Sequence, residues 1–222
     1  MKSYLSMSLR TELPALIIIG LVALVAIVLG NDLPDQVATH WNFAGEADGF
    51  SPRGFVTVFF PLLTLGVYVM MLVVPYFDPK RENYALFADA YHGTKTLLVA
   101  FFAAIFVIIV ANGLGLDVPV EFVLPPLVGL LFVGIGAHLP DVKQNWTFGI
   151  RTPWALSSVT VWDKTHRMAG YIFIIGGTVG ALSASVPGVY GISVFFISIL
   201  TAALLPVIYS YVVFSRERRS RS

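Results

Sequence analysis

Thr96–Gly113 reads TLLVAFFAAIFVIIVANG, eighteen residues with no charged side chain. A helix needs about 20 mostly apolar residues to cross a bilayer, so this run reads as a membrane span. Five others match it: Leu13–Gly30, Gly54–Tyr76, Val120–Leu139, Met168–Val186 and Tyr190–Phe214. None shows the strict alternation of a membrane β-strand. The chain is 57% hydrophobic and 12% charged, whereas a soluble domain carries about 25% charged residues. Such a surface cannot be hidden in one water-soluble core. The composition thus excludes a soluble enzyme, a nucleic-acid binder and a disordered chain, and predicts an all-α polytopic protein of six transmembrane helices in the lipid bilayer. The first run follows Lys2 and Arg10 and ends at Gly30, the outline of a secretory signal. With five spans after it, the reading adopted is a retained helix.

The absence of cysteine excludes disulfides, thiolate metal sites, cysteine nucleophiles and lipidated cysteines. The net charge of +1 conceals an uneven distribution. One side holds Lys2 and Arg10; Lys80, Arg81 and Lys95; Lys143, Arg151, Lys164 and Arg167; and Arg216, Arg218, Arg219 and Arg221. The other holds only Arg53, with Asp32, Asp35, Glu46, Asp48, Asp117 and Glu121. Basic residues stay cytoplasmic, so both termini are expected inside. The basic C-terminal tail sets orientation, with anionic lipid or a partner as the alternative role.

Two connections are long: the outer loop 31–53 and the inner loop 140–167. The second loop, Phe77–Lys95, is expected to hold a short amphipathic helix with Pro79 in its first turn. The spans read as nearly free of ionisable groups, which argues against a proton-coupled pump. His138, at the inner end of the fourth span, is taken as a packed or lipid-facing residue. Function therefore falls on the loops.

In the outer loop His40, Glu46, Asp48 and Asp35 are types that hold a hard or borderline metal, but their spacing fits no ligand motif. The competing reading, adopted here with no metal assigned, is an ordered cap. Asn42, Gly45, Asp48 and Gly49 make turns, and Trp41, Phe43 and Phe50 anchor at the interface. His40, Asn42, Gly45 and Asp48 are the candidate ligand contacts. In the inner loop, Ser157 or Ser158 is a natural N-cap for a helix leading into the fifth span, and Thr152 before Pro153 must be extended. Trp146, Trp154 and Trp162 suit the headgroup region. Arg151 and Arg167 could clamp lipid phosphate, a helix C-terminus or a partner's carboxylate; the competing reading is membrane anchoring, with Arg151 tying down loop carbonyls.

Asn145, Gly149-Ile150-Arg151-Thr152-Pro153-Trp154-Ala155-Leu156-Ser157, Val161-Trp162, Thr165-His166-Arg167 and Gly170 together resemble the signature of the SdpI-type membrane immunity proteins. The outer loop resembles the domain often fused ahead of that signature, and Asp78–Asn83 is similar to the family's second loop. The resemblance implies six spans and no enzyme activity or cofactor. It also implies protection against a secreted membrane-active peptide toxin. The family's best-known member resists the sporulation-delaying-protein toxin and, with toxin present, sequesters a cytoplasmic repressor. The candidate contact residues on the inner side are accordingly Asn145, Gly149, Arg151, Thr152, Pro153, Trp154, Trp162 and Arg167.

Leu33-Pro34-Asp35 with Trp41, and Leu139-Pro140-Asp141 with Trp146, recur at the ends of the first and fourth spans. Three spans apart, the copies face opposite sides, as in an inverted three-plus-three repeat. The expected halves are 1–119 and 120–222. This pattern keeps open an alternative function, a small-solute transporter with helices broken near Pro61, Pro125-Pro126 and Pro206.

Overall fold

The computed structural model describes residues 8–42 and 44–220. Lys2, Phe43 and Arg221 lie outside the described residues. The chain runs α1 (Leu9–Leu29), β1 (Gln36–Trp41), β2 (Ala47–Pro52), α2 (Arg53–Phe77), α3 (Ala88–Gly113), α4 (Val120–His138), α5 (Pro153–Ser157), α6 (Val159–Leu182) and α7 (Gly188–Arg219). Among the described residues, all but α5 of these helices are long and apolar enough to cross a membrane, which makes six spans. The protein is a multi-pass membrane protein.

Local chemistry sets the ends. Ser8 caps α1, with Thr11 returning the bond to the Ser8 backbone. α2 stops because Asp78 precedes Pro79 and is held extended, at φ −76° and ψ 127°. Thr152 is extended before Pro153 and caps α5 through Ala155 N–H at 3.1 Å. Of the two candidate serines, Ser158 is the cap of α6, accepting from Val161 N–H at 3.3 Å.

Several expectations need correction. α6 starts at Val159, so Trp162–Arg167 are helical and not loop. The N-cap reading of Ser157 or Ser158 places a helix there leading into the fifth span, so the correction is to the loop's end and not to the helix. The second loop holds a 3-10 turn over Arg81–Leu86 instead of an amphipathic α-helix, with Leu86 exposed and Tyr84 buried. The outer loop forms an antiparallel hairpin, the one sheet among the described residues of an otherwise helical fold. α2, α4 and α7 continue through Pro61, Pro125-Pro126 and Pro206. Each proline removes one backbone donor, and the neighbouring turns keep the helix intact. The broken helices required by the transporter reading are not there.

The two halves pack differently. α1, α2 and α3 all touch one another, whereas α6 lies between α4 and α7, which barely meet. The reason lies on α6. Gly177 meets the Gly129 backbone and Gly170 that of Gly136, each reciprocally, so a Cβ at either would strike a carbonyl. Without a hydrophobic drive between helices in lipid, such close backbone approach is what joins α4 to α6. The packing lends the inverted repeat no support. A shared core also crosses the boundary between the halves, uniting Met71, Tyr84, Phe87 and Tyr91 with Val142, Ala155, Trp162 and Val213.

Candidate functional site

The hairpin packs on α1–α3 at the end of α1 and the start of α2. Leu33 and Val37 are buried against Val22, Val56, Phe106, Ile109 and Val110. Arg53 fixes the hairpin's base by bonding the carbonyls of Asn31 at 3.1 Å and Leu33 at 3.2 Å and pairing with Asp35 at 3.3 Å. At the tip, Asn42 Oδ1 accepts from the N–H groups of Ala44 and Glu46, at 2.9 and 3.1 Å, while its Nδ2 donates to Glu46 Oε2 at 2.9 Å. Gly45 has φ +78°, and a Cβ there would run into the Glu121 carboxylate at the start of α4.

His40 Nδ1 lies 2.5 Å from Asp48 Oδ1, with both side chains exposed. The structure therefore gathers His40, Asn42, Gly45 and Asp48 into one hairpin end. It also divides the four metal-type residues among separate partners: His40 with Asp48, Glu46 with Asn42, and Asp35 with Arg53. Among the described residues no group of three His, Asp or Glu side chains converges to hold a metal. Trp41 is half-buried, and Phe50 is exposed.

Beneath the hairpin lies a partly open, mainly apolar cavity of about 500 Å³, walled by α3, α4, α7 and the Ser183–Gly188 turn, with Thr39–Asn42 as its roof. Nothing in the sequence pointed to it, because its walls come from distant segments.

The signature stretch of residues 145–170 is a folded platform. Its hub is Asp78, 2% exposed. Asp78 Oδ2 accepts from Trp146 N–H at 2.9 Å, the Thr147 hydroxyl at 2.8 Å and the Tyr84 hydroxyl at 3.2 Å, and Oδ1 accepts from Lys80 N–H at 2.7 Å. Burial pushes the Tyr84 hydroxyl's pKa up, and the nearby Asp78 charge adds to this, so Tyr84 stays a donor. Asn145 is fully buried, and its Oδ1 accepts from Thr147 and Phe148 N–H at 3.0 and 2.6 Å. Trp162 is fully buried and donates from Nε1 to Val142 O at 2.8 Å. Thr152 donates to the Ser210 hydroxyl at 2.9 Å, and Trp154 lies against Tyr211, which binds the platform to α7.

Asn145, Thr152 and Trp162 are thus inside the scaffold and present nothing to a partner. Pro153, Arg151, Arg167 and Trp146 are exposed. Arg151 donates to a single carbonyl, Trp146 O, at 3.0 Å. This is the reading in which Arg151 ties down a loop carbonyl, made from an exposed position and to one carbonyl.

His166, fully buried and stacked on Trp162, accepts Ile150 N–H at Nε2 (3.0 Å) and lies 3.0 Å from Trp162 O at Nδ1, which fixes the Nδ1–H tautomer. Gly149 has φ +104°, and a Cβ there would collide with His166 Nε2. Gly149→Ala is expected to lower unfolding stability by about 2 kcal/mol through this strain, read as a lower midpoint in detergent-titrated unfolding. An unchanged midpoint would contradict the account.

A third cluster places more charge inside the spans than the nearly charge-free reading expects. Lys95 lies two turns into α3 and is fully buried. Its Nζ is 2.6 Å from Glu12 Oε2 at the start of α1, and Tyr68 of α2 donates to the same oxygen at 2.9 Å. His92 Nδ1 lies 3.4 Å from Glu12 Oε1 and 3.1 Å from Lys95 Nζ. The missed signal was one acid and one base, each just outside an apolar run on the same membrane side. His138 packs against Gly93, the residue after His92, in line with the packed reading.

Residues 141–210 match the SdpI/YfhL protein family, and residues 17–65 match a domain of unknown function, DUF1648. The chain is 23% identical over 217 residues to Immunity protein SdpI of Bacillus subtilis (strain 168), spanning 96% of this chain and 100% of that protein. No solved structure matches.

Proposed function

This chain is a member of the SdpI-type family, and from that premise we propose that it is an immunity protein of the cell membrane. In this reading it neutralises a secreted, membrane-active peptide toxin and signals its presence to a cytoplasmic repressor. The observation that carries the reading is similarity to a protein named for immunity along nearly the whole of both chains.

The termini and the platform face the cytoplasm, in keeping with the one-sided basic residues. The hairpin with His40, Asn42, Gly45 and Asp48 faces the toxin. The exposed side of the platform, with Arg151, Pro153 and Arg167, faces the repressor, while Asn145, Gly149, Thr152, Trp154 and Trp162 hold that surface in shape. Residues 1–119 then form a sensing half and residues 120–222 a signature half joined to it through the shared core. The role is non-enzymatic, needing neither cofactor nor nucleic acid. No observation favours the transporter reading.

The test is survival. A toxin-sensitive host expressing the protein is challenged with the sporulation-delaying-protein toxin and with peptides secreted by the source organism, membrane levels being checked in parallel. Protection is the expected result, weakened by His40→Ala and Asp48→Ala. A well-expressed protein that protects against none of these peptides is not an immunity protein.

A further inference from the structure

We propose that the cavity beneath the hairpin binds the apolar segment of a cationic peptide, with Glu121 as counter-ion to its ammonium or guanidinium group. The inference rests on the immunity reading for its premise that the ligand arrives as a secreted peptide.

At about 500 Å³ the cavity lies within the range of about 300–1,000 Å³ typical of ligand sites. Ile108, Phe122, Ile192 and Phe195 contribute apolar walls. Thr39 and Asn42 in the roof and Ser183 in the wall add a few polar groups, the mixture that orients a mostly apolar ligand.

Glu121 sets the charge. It lies on the cavity wall, half-buried, against the tip glycine Gly45. Three of the other five acids on this side have partners, Asp35 with Arg53, Glu46 with Asn42 and Asp48 with His40; Asp32 and Asp117 are exposed and away from the cavity. Among the described residues Glu121 has no such partner. A carboxylate drawn partly out of water beside an apolar cavity gains from an arriving cation, since charge-assisted bonds are the strong ones.

The surroundings select the occupant. Asp32, Asp35, Glu46, Asp48, Asp117 and Glu121 share this side with one basic residue, Arg53, already engaged with Asp35 and two carbonyls. Such a field attracts a cationic peptide from outside. It repels the phosphate that a phospholipid would bring beside its amine.

The full chain in phosphatidylcholine nanodiscs is offered a short leucine-rich peptide that ends in lysine and carries a photoreactive benzoylphenylalanine in its apolar part. Crosslinks are expected on the cavity walls of α3, α4 and α7. Glu121→Gln is expected to lower their yield about tenfold, and a twin peptide ending in glutamate to label the unmodified chain no better. Glu121→Lys is expected to restore labelling by the glutamate twin, which separates charge pairing from misfolding. Ile192→Trp, which fills the cavity, is expected to remove the crosslinks.

The proposal is overturned if crosslinks spread over lipid-facing residues such as Leu62. Equal labelling by both peptides, or displacement of the lysine peptide by a phosphocholine detergent but not by unlabelled peptide, would overturn it as well. Protection in the survival assay without cavity labelling removes this inference and leaves immunity standing. Cavity labelling without protection does the reverse.

Discussion

Lys95→Met is expected to destabilise the protein by about 3–5 kcal/mol, the range seen when one member of a buried ion pair is deleted. The substitution keeps the length and packing of the side chain while removing its charge. Glu12 is then left 12% exposed at the side chain, with Tyr68 and His92 as its remaining partners. The loss is to be read from unfolding in mixed detergent micelles titrated with sodium dodecyl sulfate.

The double substitution Glu12→Gln with Lys95→Met leaves no uncompensated charge and is expected to recover most of the stability. This recovery separates an ion-pair effect from simple damage to α3. The single change should act at the junction of α1, α2 and α3 where Glu12, Tyr68 and Lys95 meet, and leave the C-terminal spans packed. A double variant no more stable than Lys95→Met would show that the pair is not the source of the loss.

Asp78→Ala is the second large effect, expected at about 2–4 kcal/mol. Four donors lose their acceptor: Trp146 N–H, Lys80 N–H and the hydroxyls of Thr147 and Tyr84. Each buried donor left unsatisfied typically costs about 1–3 kcal/mol. The two hydroxyls can still bond each other, so the loss concentrates on the two backbone groups. Because Asp78 joins the second loop to the signature loop, local opening should accompany the global loss. Trypsin is expected to cut after Lys143 and Arg151 faster in Asp78→Ala than in the unmodified protein, with membranes opened from the cytoplasmic side. Unchanged cleavage would mean that the hub does not hold the loop. Asp78→Asn retains an acceptor oxygen and is expected to fall between the two.

The most informative local signals in the chain were the backbone ones. Asp78-Pro79 and Thr152-Pro153 ended and started helices where the ring sterics require, and Ser158 supplied the cap. Asn42 and Gly45 built the tip of the outer loop as turn residues should, although the strands flanking it went unread. Alternation there is weak: the pairing is irregular between Ala38 and His40 and between His40 and Trp41, and only Val37 is firmly buried.

The sequence by itself determined the six spans and the class of protein, because the bilayer's thickness and its lack of hydrogen-bonding partners leave apolar helices as the economical solution. It also carried the expected orientation in its one-sided lysines and arginines, and the signature of its family in residues 145–170. Only the tertiary structure decided which polar residues meet. Glu12 finds Lys95 across 83 positions, and Asp78 finds Trp146 and Thr147 across 68 and 69. It also decided that Arg151 faces outward while Asn145 and Trp162 face inward, and that Glu121 borders a cavity under a hairpin from the far end of the first half. The physical reason is that hydropathy is summed along the chain, whereas a polar contact depends on the rotation and depth of two helices. Those are set by close packing, by the small residues that let α6 lie between α4 and α7.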